Sequence, residues 1–172
     1  MTAEIGHFAL VLALLIAVVQ VTLPMIGAHR GNAAWMAVAK PAALTQFGLI
    51  ALSFGCLMQL YVTSDFSVLN VVQNSHTAKP LIYKIAGVWA NHEGSLLLWV
   101  LILSLFGSAV AVFGANLPPA LKARVLSVQA MIAVGFYLFM LLTSNPFERV
   151  EVPPINGQDL NPLLQDFGLA IH

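Results

Sequence analysis

Four long apolar stretches, separated by shorter polar ones, set the pattern of this chain. They run from about Ile5 to Gly27, Ala42 to Val62, Ser95 to Ala115 and Val125 to Thr143. A hydrocarbon core about 30 Å thick is crossed by roughly 20 predominantly apolar residues in helical form, and each stretch has about that length. A span in lipid must satisfy its backbone hydrogen bonds internally. The pattern therefore predicts an all-α polytopic membrane protein with four transmembrane helices. The first stretch reads as an uncleaved span, because Glu4 stands where a signal peptide would carry basic residues and the apolar run is too long for an h-region.

Charge gives these spans a direction. The loop between the first two carries His29, Arg30 and Lys40, and the loop between the last two carries Lys122 and Arg124 beside Pro118 and Pro119; neither holds an acid. The segment 63–94 mixes Asp65, Lys79, Lys84 and Glu93, and the tail after Thr143 holds four acids against Arg149 alone. The positive-inside rule places the two basic loops in the cytoplasm. Both termini, the 63–94 loop and the 144–172 tail are then expected outside, with residues 1–143 forming the membrane region.

Composition narrows the function classes. With 59% hydrophobic and 8% charged residues and a mean hydropathy of +0.88, the chain has too little polar surface to coat a soluble globule. Seven basic residues balance seven acidic ones, so charge gives no argument for nucleic acid. Cys56 is the only cysteine and lies in an apolar run, which rules out a disulfide framework or a thiolate zinc site within this sequence. Gln20, Gln46, Gln59 and Gln129 fall at membrane depth and are expected to face other helices. No Asp, Glu, Lys or Arg falls at mid-depth, which disfavours a transporter subunit.

Histidines gather on the expected outer side: His7, His76, His92 and His172, with His29 opposite. Histidine suits metals and haem iron, but the spacing matches no HExxH motif. Trp89 and Trp99 suit the membrane interface. That does not account for His92 and Glu93, which stand at the mouth of the third span.

The blocks Glu4 to Leu10, Asn74-Ser75, Tyr83-Lys84, His92-Glu93-Gly94-Ser95-Leu96-Leu97-Leu98-Trp99, Ser144 to Phe147 and Gly157 to Asp166 occur in this order along the whole chain. Together they resemble the N-terminal part of the CcmF-type cytochrome c haem lyase subunit; the nitrite-reductase-associated paralogue shares them. Two departures stand out: Ala90-Asn91 replaces paired glycines before His-Glu-Gly-Ser, and Phe167 stands where proline often precedes Gly-Leu. Family members continue through further spans and a tryptophan-rich periplasmic segment, so the resemblance implies a truncated or naturally split piece.

The resemblance also implies a function: joining haem vinyl groups to the thiols of CxxCH motifs in apocytochrome c during cytochrome c maturation. It implies haem b in the complete lyase, with His172 as one external ligand of haem iron. Its implied partners are the absent C-terminal part, a haem chaperone and other maturation subunits, apocytochrome c and membrane lipid. The implied location is the bacterial inner membrane, multi-pass, with a periplasmic functional face. His92, Glu93, Lys84 and Trp89 are expected to organise the outer surface near the haem site without binding iron. The nucleophilic thiols belong to the substrate, which agrees with a lone buried cysteine. The alternatives are a non-catalytic scaffold subunit of the lyase complex, with the fragment inactive alone, and a transporter subunit.

Overall fold

Each apolar stretch is helical, and each of the four helices begins before its stretch does. The computed structural model describes residues 1–159 together with Asn161 and Gly168. In chain order the helices are α1 (Thr2–Arg30), α2 (Ala33–Ala37), α3 (Ala39–Val62), α4 (Leu69–Asn74), α5 (Leu81–Gly87), α6 (His92–Phe113) and α7 (Pro119–Thr143), with a 3-10 turn at Gly114–Asn116. Helices α1, α3, α6 and α7 are long and apolar enough to cross a membrane.

The overrun has local causes. Composition marks where hydrocarbon ends, but a helix continues through the interface wherever side chains and backbone permit. Helix α7 thus starts at Pro119, six residues before the apolar stretch; proline suits a first helical position because the amide hydrogen it lacks has no intrahelical acceptor there. Helix α1 ends where Gly31 adopts φ 68°, the left-handed cap conformation that costs glycine least. The 63–94 segment, expected as a loop, folds into α4 and α5, both too short to leave a periodic signature.

The four long helices form a ring in which α1 and α6 each pack against both α3 and α7. Small residues make the close approach possible. The covered face of α1 is Ala3, Gly6, Ala9, Ala13 and Ala17, continued by Gly27 and Ala28, and that of α7 includes Ala123, Ala130 and Ala133. Phe8, Leu15, Trp99, Phe106 and Phe113 point outward, where lipid receives them. This is the membrane arrangement: packing and interhelical hydrogen bonds join the helices, and bulk apolar groups face out.

Polar side chains inside the ring tie helix to helix. Gln20 Nε2 donates to the Leu126 carbonyl at 3.0 Å, and Ser127 Oγ donates to the Gln20 carbonyl at 2.9 Å. Ser53 Oγ reaches the Gly6 carbonyl at 2.9 Å, Ser108 Oγ the Ala43 carbonyl at 3.3 Å, and Gln129 the Leu103 carbonyl. Gln20 and Gln129 thus each bond to another helix, as membrane depth favours, although Gln20 Oε1 has no partner among the described residues. Gln46 is buried, but its amide nitrogen has no partner among the described residues. Gln59 differs from expectation: it lies exposed on the last turn of α3, turned away from the face on which Leu60 and Tyr61 are buried.

Candidate functional site

The start of α1, the end of α3, the start of α6 and the end of α7 share one end of the bundle, and α4, α5 and residues 144–159 cap it. At the centre of this cap four polar side chains converge. Tyr61 Oη, on the last turns of α3, donates to Asn70 Oδ1 at 2.5 Å. Asn70 Nδ2, on α4, donates to Asn91 Oδ1 at 2.9 Å and to Glu93 Oε2 at 3.1 Å. Asn91 Nδ2 in turn donates to Tyr61 Oη at 3.0 Å and to the Gly87 carbonyl at 2.8 Å. Tyr61 and Asn70 are buried, so the bond between them is formed away from competing water, and the half-buried Asn91 and Glu93 close the network toward the surface.

Local sequence explains why the network closes here. Asn91 is the N-cap of α6: its side-chain oxygen accepts from the Gly94 amide at 2.8 Å, as an N-cap asparagine does for the free amides of a first turn. Glu93 follows in that turn, where the helix dipole favours a carboxylate. Gly94 is required by contact, because a Cβ there would collide with the Val88 carbonyl. Gly87 lies against the Tyr61 ring, leaving a Cβ only 3.2 Å from it. The Asn91 departure is therefore a working part of this chain's site.

The tail is stitched across the same cap. Phe147 is buried against Gly6, where a Cβ would fall 2.5 Å from the ring. Arg149 pairs with Glu4 and bonds to Ser67, while Leu69 N donates to the Glu148 carbonyl at 2.8 Å and Val150 N to the Ser67 carbonyl at 3.1 Å. Farther on, Gln158 N donates to the Val72 carbonyl at 2.7 Å and Asp159 N to the Ser75 carbonyl at 3.2 Å. Lys79, its side chain only 1% exposed, pairs with Asp159 at 2.7 Å and donates to the Asn74 carbonyl at 3.1 Å.

The sequence-expected residues part company here. Glu93 belongs to the network; His92, its neighbour, is exposed, stands edge-on to Phe139 with ring centroids 6.0 Å apart, and makes no hydrogen bond to Glu93. Consecutive residues at a helix start point about 100° apart, so one turns inward and the other outward. Lys84 Nζ donates to Ser64 Oγ at 2.7 Å, tying α5 to the end of α3. Trp89 is half-buried against the core, and its carbonyl accepts from Ser95 Oγ at 2.5 Å. His172 lies outside the described residues. Tyr61 and Asn70 were not singled out by sequence; Tyr61 sits in an apolar run and Asn70 in a segment read as loop. The Asn91-x-x-Gly94 cap was the one available signal.

This capped four-helix arrangement has known counterparts. A family described as cytochrome C assembly protein matches residues 89–172. The chain is 61% identical, over its whole length, to the cytochrome c-type biogenesis protein ccl1 of Rhodobacter capsulatus, and 52% identical to the cytochrome c-type biogenesis protein CcmF of Pseudomonas aeruginosa. The chain belongs to the CcmF-type cytochrome c biogenesis family. A solved structure of cytochrome c heme lyase CcmF superposes on all of the chain with a TM-score of 0.86 at 25% identity. The chain spans about a quarter of the length of each of these: 26% of both biogenesis proteins and 27% of the solved lyase. Family membership and four apolar helices together make it a multi-pass membrane protein.

Proposed function

We propose that this CcmF-type chain serves cytochrome c maturation as the part of a haem lyase that builds a rigid outer surface for haem, from which haem is joined to CxxCH thiols of an apocytochrome. The observation that carries the reading is the superposition of the whole chain on a haem lyase. The cap supports it: the tail is fastened at both Arg149 and Asp159, which gives the chain leading toward His172 a fixed origin.

In this reading haem b is the cofactor and His172 an axial ligand in the complete lyase. The histidines of the described residues do not themselves make an axial site. His76 accepts from Ala78 N through Nδ1 at 3.1 Å and meets Asn156 through Nε2 at 2.9 Å, and His7 is engaged by Asn145. His92 is free of hydrogen bonds among the described residues but faces the outer side of α7. The residues described here would therefore position and support, and the partners are the remainder of the lyase, a haem chaperone, other maturation subunits and apocytochrome c.

The bacterial inner membrane, with the cap in the periplasm, fits the charges. Every acid among the described residues lies at or near the cap end, whereas Arg30, Lys40, Lys122 and Arg124 lie at the other end. In the complete lyase, His172→Ala should remove or shift the external haem absorption and abolish attachment, with partial rescue by imidazole. A normal haem spectrum with normal cytochrome assembly would make the tail purely structural.

A scaffold reading is favoured for this portion taken alone. The polar side chains of its cap are spent on joining α3, α4, α6 and the tail to one another.

A further inference from the structure

At the end opposite the cap, a cavity of about 510 Å³ opens between α2, the start of α3, the 3-10 turn and the start of α7. Its walls are small or apolar, with Met36, Ala37 and Leu117 prominent, and Lys40 and Lys122 stand among its lining residues. This end carries four cations and no acid. Two of the cations are occupied within the protein: Arg124 donates to the Ala28 carbonyl at 3.3 Å, and the Arg30 guanidinium lies 6.0 Å from the centre of the Trp35 ring. Neither Lys40 nor Lys122 has an ion-pair or side-chain hydrogen-bond partner among the described residues. Both line the same cavity.

We propose that this cavity is a binding site for the headgroup of an anionic phospholipid. Two lysines supply the charge for one phosphate, and the apolar walls receive the first carbons of the acyl chains. The position at a bundle end puts the cavity at headgroup depth. Charge complementarity decides the occupant: an acid-free end cannot neutralise itself, and the anion a membrane supplies in quantity is lipid phosphate. A zwitterionic headgroup offers the same phosphate but brings a cation to the same two lysines. The site does not depend on the proposed function or on which side of the membrane this end faces.

Native mass spectrometry of the purified protein, titrated in detergent with dioleoylphosphatidylglycerol or dioleoylphosphatidylcholine, tests it. One phosphatidylglycerol should remain bound where phosphatidylcholine is lost, and inorganic phosphate at equal concentration should not displace it. K40Q with K122Q should weaken that binding by about thirtyfold, the effect of two lysines near an anionic surface. K40R with K122R should retain it, and removal of one charge at the other end, K84Q, should leave it unchanged. Equal retention of the two lipids, or undiminished binding by a folded K40Q/K122Q protein, would overturn the proposal. Displacement by inorganic phosphate would do so as well, since it would make this a simple anion site.

Discussion

The hydroxyl of Ser127 on α7 donates to the carbonyl of Gln20 on α1, the one acceptor in that helix whose usual donor, the amide of residue 24, does not exist. Pro24 removes an intrahelical hydrogen bond in a setting without water to replace it. The neighbouring helix supplies the missing donor, so α1 runs through its proline unbroken, and the α1–α7 contact is fixed in register. Ser127→Ala should lower stability in detergent by about 1–2 kcal/mol. The decisive comparison is the double-mutant cycle: in a Pro24→Ala background the carbonyl regains its own amide, and Ser127→Ala should then cost much less. Additive losses in thermal unfolding would show that the hydroxyl and the proline are not coupled.

Replacing Asn91 separates capping from networking. Asn91→Gly leaves a tolerable cap but strips partners from Asn70 and Tyr61, so the loss should exceed the few tenths of a kcal/mol expected of a cap change alone and reach about 1–3 kcal/mol. Hydrogen exchange at the start of α6 and in α4 is the readout. Protection unchanged in α4 would mean that the side-chain bonds there contribute little.

Glu93→Gln keeps an acceptor for Asn70 while removing the charge at the start of α6. In the complete lyase this change should lower cytochrome yield and leave haem bound, and His92→Ala should affect yield less, because His92 touches only the edge of Phe139. Absence of all haem absorption after Glu93→Gln would instead assign the carboxylate to cofactor binding.

Sidedness can be read by cysteine labelling in a Cys56→Ser background, since the native thiol is buried. Positions 32 and 120 should react only after permeabilisation. Ser75 would be a poor reporter on the opposite face because it is fully covered, whereas Thr77 and Ile155 are exposed there and should react in intact cells. The reverse pattern would invert the topology.

The four spans were legible because burial in lipid demands long apolar runs, and no other feature of a short chain produces them. Helix ends were less so: Lys122 and Arg124 mark the edge of the hydrocarbon, while α7 itself begins at Pro119. The cap was the least visible part. Its hub joins Tyr61, Asn70 and Asn91 across 30 residues, and such convergence depends on how α3, α4 and α6 are placed in space, which hydropathy does not encode. The motif at His92-Glu93 drew attention to the right helix start, yet spacing alone does not tell which of two adjacent side chains turns inward.

Ala13 and Ala17 of α1, Ile50 of α3, Val100 of α6 and Ala133 of α7 are almost wholly covered at the middle of the ring. All five belong to one continuous core cluster, so at this level the four long helices are held together by direct side-chain packing. The four helices thus give the cap a packed base, joined at mid-depth by apolar contact and at the end by the hydrogen bonds of Tyr61, Asn70 and Asn91.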